Sequence, residues 1–149
     1  NTDDPGRLMN IMTALKEISK RVPVVLPLHP RTRKHVIEME LDMGNVTCIE
    51  PVGYFDMICL LDNCRAVFTD SGGVQKEASF FAKPCVILRS ETEWVELVEQ
   101  GHGELVDADP ERLFGAVDRA LAAKACSTPK VFGDGNAALH ICEHLIRTR

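Results

Sequence analysis

Ser71, Gly72, Gly73 and Glu77 have the types and spacing to bind an anion beside a set of hydroxyl groups. They lie in Ala66-Val67-Phe68-Thr69-Asp70-Ser71-Gly72-Gly73-Val74-Gln75-Lys76-Glu77-Ala78, where a short apolar, β-rich run stops at a polar turn and a helix-forming stretch follows at once. In a parallel sheet that order puts Ser71, Gly72 and Gly73 on a helix N-terminus at the carboxyl end of a strand. Backbone N–H groups there lack intrahelical partners and carry the positive end of the helix dipole, so a phosphate is favoured. Having no Cβ, the glycines let that anion come close to the backbone. Glu77, one turn further on, is placed to accept hydrogen bonds from sugar hydroxyls. The pattern reads as a nucleotide site, although a strand–Ser-Gly-Gly–helix junction also serves as a plain tight turn. Neither the P-loop pattern nor the dinucleotide Gly-x-Gly-x-x-Gly fingerprint is present.

The elements that would position this turn follow from periodicity. Leu8, Ile11, Met12, Leu15 and Ile18 fall on one helical stripe, which predicts an amphipathic helix over 4–21. Pro23–Leu28 reads as a buried strand, followed by a helix over 31–42 that opens on Arg31, Arg33 and Lys34. Val46–Ile49 is a short strand and 54–63 a helix. The Ala66–Thr69 strand leads to a helix over 73–82, and Pro84–Leu88 to a helix over 93–100. Glu104–Val106 is a weak strand, with helices over 110–124 and 136–147 after it. Strands alternate with helices and are continuously apolar, which indicates an α/β domain: a doubly wound parallel sheet covered on both faces.

Ligands on such sheets bind beyond the carboxyl ends of the strands. His29 and Arg31 follow one strand, Tyr54 and Phe55 another, Ser71 to Gly73 a third, and Arg89 to Thr92 a fourth. Four polar clusters on one edge predict one composite site.

At 149 residues, 45% hydrophobic and 26% charged, the chain suits one folded unit, without repeats or a linker. A net charge of −5 argues against a nucleic-acid partner. No apolar run approaches the ~20 residues that cross a bilayer, so no membrane partner is expected. Cys48, Cys59, Cys64, Cys85, Cys126 and Cys142 form no Cys-x-x-Cys pair, and several sit in apolar runs. Buried, reduced thiols and a cytoplasmic location are the reading. The histidines show no metal-ligand spacing. Asn1-Thr2-Asp3-Asp4-Pro5 reads as a helix lead-in with no initiator methionine before it, as in an excised domain or processed product.

Six motifs in order carry a resemblance to a family. They are Asn1-Thr2-Asp3-Asp4-Pro5, Leu28-His29-Pro30-Arg31-Thr32, Glu50-Pro51-Val52-Gly53-Tyr54, the Thr69–Ala78 string, Arg89-x-x-Thr92-Glu93-Trp94-Val95-Glu96 and Phe132-Gly133-Asp134-Gly135-x-Ala137. Together they resemble the C-terminal half of the non-hydrolysing UDP-N-acetylglucosamine 2-epimerases. The resemblance implies that residues 1–149 form a Rossmann-like, UDP-binding domain, the second half of a GT-B-like two-domain enzyme. It implies epimerisation at C2 by elimination of UDP, with loss of the C2 proton, and re-addition of UDP to the resulting 2-acetamidoglucal. No nicotinamide, metal or other cofactor is implied. The partners implied are UDP or a UDP-sugar, an N-terminal domain and a second copy in a homodimer.

By the same resemblance, Ser71, Gly72 and Gly73 hold the diphosphate and Glu77 the ribose diol. The stretch with Tyr54, Phe55 and Met57 meets the uracil. Arg89, Thr92 and Glu93 lie near the phosphates and sugar, and His29 and Arg31 at the cleft edge. No residue of this chain is assigned proton transfer, because the family's junction histidine and N-terminal carboxylates fall before Asn1. The 149 residues alone are therefore expected to bind UDP weakly and not to epimerise. Phe132 stands where tyrosine is common in the family.

Other residues read as structural. Arg33 and Lys34 suit a solvated helix face, Trp94 a packing role, Asp70 a helix cap, and Gly133 to Gly135 a turn before the last helix. His102, His140 and His144 read as surface or core histidines. Three competing functions stay open: a UDP-sugar uronic acid epimerase, the donor domain of a GT-B glycosyltransferase, and a non-enzymatic nucleotide-binding module.

Overall fold

The computed structural model describes residues 3–123 and 132–147. Asn1, Thr2, Cys126 and the expected end of the 110–124 helix lie outside the described residues. In chain order the elements are α1 (Pro5–Ser19), β1 (Val25–Pro27), α2 (Pro30–Glu38), β2 (Thr47–Ile49), α3 (Tyr54–Asn63) and β3 (Val67–Thr69). They continue with α4 (Gly72–Phe80), β4 (Cys85–Ile87), α5 (Val95–Glu99), β5 (Gly103–Leu105), α6 (Pro110–Ala122) and α7 (Ala137–Arg147).

Among the described residues every strand pairing is parallel, and each expected strand and helix has a counterpart. The strands form two parallel ladders, β1–β2 and β3–β4–β5, where a single sheet was expected. Three-residue strands leave few backbone groups with which to join the ladders, and side chains join them instead. One core cluster contains Leu26 and Leu28 from the first ladder's side, and Val86, Leu88 and Phe68 from the second's. β4 shows why the architecture is layered. Val86 and Leu88 face α1 and α6 in one cluster, while Cys85 and Ile87 face α3 and α4 in another. That period of two is what a strand buried on both faces requires. Burial pushes the Cys85 thiol up to about 12, so it is a packing residue rather than a nucleophile.

α1 uses the stripe its sequence lays out: Leu8, Ile11, Met12, Leu15 and Ile18 are all buried, packed on α6. α7 also has apolar positions, yet none of its residues is buried.

Helix ends depart most from expectation. α2 stops at Glu38 rather than near 42 because Glu40 enters the left-handed region at φ 51°. Leu41 N–H then bonds Val36 C=O and Glu40 N–H bonds Ile37 C=O, a Schellman ending. α4 ends the same way at Ala82 (φ 52°), with Lys83 N–H on Ala78 C=O.

Candidate functional site

In a parallel α/β unit each helix following a strand starts at the carboxyl edge, so the local chemistry of those helix N-termini defines the site. β3 ends at Thr69, whose Oγ1 accepts a hydrogen bond from Ser71 N–H at 3.0 Å. Ser71 is extended (φ −84°, ψ 123°) and occupies the N-cap of α4. Its carbonyl takes the first helical bond, from Gln75 N–H at 3.1 Å, but no side chain caps the helix. The N–H groups of Gly72, Gly73 and Val74 therefore open the helix without a side-chain acceptor, the arrangement an incoming anion needs. The helix begins one residue earlier than expected, so the cap position falls on Ser71. Asp70, expected as the cap, is exposed beside it.

The β4–α5 loop lies against this turn. Trp94 Nε1–H donates to Gly72 C=O at 2.7 Å, and Trp94 N–H donates to Thr92 Oγ1 at 3.1 Å. Thr92 Oγ1 in turn donates to Gln75 Oε1. Gln75 is fully buried and its Nε2 has no partner among the described residues. Arg89 Nη1 grips both Glu93 oxygens, at 2.9 and 3.0 Å. The Glu93 carboxyl is held below the usual carboxylate range by its own backbone N–H and by Arg89. Glycine at 72 has a steric reason: a Cβ there would stand 3.1 Å from Glu93 Oε2 and 3.5 Å from Trp94 Nε1.

Behind the turn, the Lys76 ammonium sits 4.8 Å from the Trp94 ring centre and 4.6 Å from that of Phe132. The two rings meet edge to face at 5.5 Å. Trp94 does pack, but it also carries a tertiary hydrogen bond that its sequence position does not reveal. Gln75 and Lys76 were not singled out from the sequence. Two polar residues one position past a glycine pair are the local signal of their roles.

Glu77 is half-buried on α4, and its carboxylate has no partner among the described residues. On α3, Gly53 provides no side-chain cap either. Tyr54 and Phe55 stand exposed there (64% and 85%) with their rings 5.8 Å apart. Met57 is not brought to that surface: its side chain packs on the inner cluster and its N–H bonds Gly53 C=O.

The α2 turn is different. His29 Nδ1 accepts from Arg31 N–H at 3.3 Å, and the Arg31 guanidinium pairs with Asp3 at 2.7 Å. Both residues are exposed at the edge. Arg33 is not on a solvated face. It is half-buried, pairs with Glu50 at 2.9 Å and donates to Ile49 C=O, tying α2 to the end of β2. Lys34 is solvated as expected, 3.7 Å from Glu38. His102 is a buried core histidine, and His140 is exposed.

The family model described as UDP-N-acetylglucosamine 2-epimerase matches residues 1–146. The chain belongs to that family. Relatives within it include the UDP-2,3-diacetamido-2,3-dideoxy-D-glucuronate 2-epimerase of Pseudomonas aeruginosa, 48% identical over 99% of this chain and 42% of that protein. The UDP-N-acetylglucosamine 2-epimerase of Methanocaldococcus jannaschii is 36% identical over 95% of this chain and 40% of its own length. A solved structure of that enzyme in complex with UDP-GlcNAc and UDP superposes with a TM-score of 0.86, at 36% identity, over 99% of this chain and 42% of that one. The chain thus spans about two fifths of the length of these relatives and shares the fold of the matched part. Among the described residues no helix is long and apolar enough to cross a membrane.

Proposed function

We propose that this chain is the UDP-binding part of a nucleotide-sugar 2-epimerase, an isomerase acting on UDP-N-acetylglucosamine. The observation that carries the reading is the uncapped, glycine-lined N-terminus of α4, with the unpartnered Glu77 carboxylate one turn on. The relative solved with UDP-GlcNAc and UDP, matched over the whole of this region, supports it. Ser71, Gly72 and Gly73 hold the diphosphate, and Glu77 accepts from the ribose hydroxyls. The exposed Tyr54 and Phe55 side of α3 receives the base. Arg89, Thr92 and Glu93 border the phosphates and sugar, and His29 and Arg31 form the rim.

In the reaction so read, the C2 proton leaves and the C1–O bond to UDP breaks, giving a 2-acetamidoglucal. Reprotonation of C2 on the opposite face and re-addition of UDP complete the exchange with UDP-N-acetylmannosamine. This chain's N–H groups stabilise the negative charge on the leaving diphosphate, an electrostatic role. Proton transfer falls to residues that the longer relatives have outside the match. The functional assembly so read is a cytoplasmic homodimer in which this part faces a second domain across the carboxyl edge. A second substrate, UDP-2,3-diacetamido-2,3-dideoxy-D-glucuronate, is favoured by the relative at 48% identity.

The test uses a protein of the relatives' length that contains this sequence, given each UDP-sugar in deuterated water. Deuterium at C2 of one substrate and its epimer is the expected result. No deuterium in either substrate, with UDP bound, overturns the reading as an epimerase. The 149 residues alone are expected to give no exchange.

A further inference from the structure

We propose that Trp94 is a positioning residue that aims the diphosphate-binding N–H groups, acting through the carbonyl of Gly72. The inference rests on the reading of Ser71 to Gly73 as the diphosphate turn. A peptide unit is planar, with its C=O and N–H pointing in opposite directions. Gly72 C=O and Gly73 N–H belong to the same unit. Holding the carbonyl with Trp94 Nε1–H at 2.7 Å therefore fixes the direction of the Gly73 N–H as well.

Two adjacent glycines need such a restraint. Glycine has the widest backbone freedom of any residue, and the close approach of an anion requires that freedom to be removed in advance. A hydrogen bond accepted by the carbonyl also polarises the amide, which strengthens its N–H as a donor.

The indole is held from several sides. Its ring carries the Lys76 ammonium at 4.8 Å and the edge of Phe132 at 5.5 Å. Its backbone N–H is taken by Thr92 Oγ1, which also reaches the buried Gln75 of α4. The loop between β4 and α5 is thereby bonded to α4 at both Gly72 and Gln75. The Lys76 ammonium lies against both aromatic rings, and these cation–π contacts help hold the indole in place.

Trp94 is the single tryptophan of the chain, so its indole N–H gives one resolved resonance. The experiment titrates the chain, labelled with nitrogen-15 at tryptophan, with UDP and separately with uridine, and measures UDP binding by calorimetry. The indole resonance is expected to move with UDP, saturating at the calorimetric Kd, and to stay in place with uridine. Trp94→Phe keeps a ring and loses the donor. It is expected to weaken UDP about fivefold, the worth of one neutral hydrogen bond, with uridine binding unchanged. Lys76→Met is expected to weaken UDP about twofold by loosening the indole.

Calorimetric UDP binding with an unmoved indole resonance overturns the positioning role and leaves the diphosphate reading standing. So does a Trp94→Phe variant that binds UDP as tightly as the parent. If a protein of the relatives' length that contains this sequence binds no UDP at all, the diphosphate reading fails and the positioning role fails with it. The resonance measurement needs no variant, so it decides the matter even if Trp94→Phe does not fold.

Discussion

The N-termini of α1 to α6 fall into two sets. α1, α2 and α6 close their own first turns. Asp4 accepts from Arg7 N–H, His29 from Arg31 N–H, and Asp109 from both Glu111 and Arg112 N–H. α3, α4 and the five-residue α5 carry no side-chain cap. At α1 and α6 the acceptor is a carboxylate, so an incoming anion would meet a negative charge already in place. At α4 the same positive helix end is left unclaimed, and a loop grips it from behind. A capped N-terminus stabilises the fold, and an uncapped one is available to a ligand. Stability and binding are thus assigned to different helices along one edge.

That contrast is best broken by closing the open turn. Ser71→Asp supplies α4 with a charged cap. We expect stability to rise by about 0.5–1 kcal/mol in urea unfolding. The same carboxylate opposes a diphosphate at short range, and UDP binding by calorimetry should fall by roughly two orders of magnitude. A variant that gains stability and keeps UDP affinity would remove the anion role. Next in size, Glu77→Ala should weaken UDP about tenfold through lost charge-assisted bonds, and leave affinity for inorganic pyrophosphate unchanged. Equal losses for both ligands would move Glu77 from the ribose to the fold.

On the closed side, Asp109→Ala removes an acceptor of two N–H groups. It should cost about 1 kcal/mol in urea unfolding and leave UDP affinity untouched. Smallest is Ala82→Gly, at the far end of α4. Ala82 holds a left-handed conformation that glycine adopts without penalty, so stability should rise by about 0.5–1 kcal/mol with UDP affinity constant. A change in affinity would mean that general stiffness of α4, and not its first turn, governs binding.

Much of the fold was legible because its signals are local. The α1 stripe, the apolar strands and the Ser-Gly-Gly break each need only a few neighbouring residues, and α3 starts and ends where periodicity puts it. The helix ends at Glu40 and Ala82 were not legible, since glycine is the usual mark of a left-handed ending and neither residue is glycine. Ser71, Gly72, Gly73 and Glu77 announce themselves by composition and spacing. The Trp94 bond to Gly72 and the Thr92 bond to Gln75 do not, because each joins residues far apart in sequence. Arg33 is misread for the same reason: its partners, Ile49 and Glu50, lie at and just past the end of β2.

The most direct test follows the backbone amides of the nitrogen-15-labelled chain during a UDP titration. The two-set account predicts shifts centred on Gly72, Gly73 and Val74, with a second group at the start of α3. It predicts none at Arg7, Glu111 or Arg112, whose N–H groups are already held by carboxylates. Shifts of equal size at the capped turns, or a still α4 N-terminus in the presence of bound UDP, would contradict it.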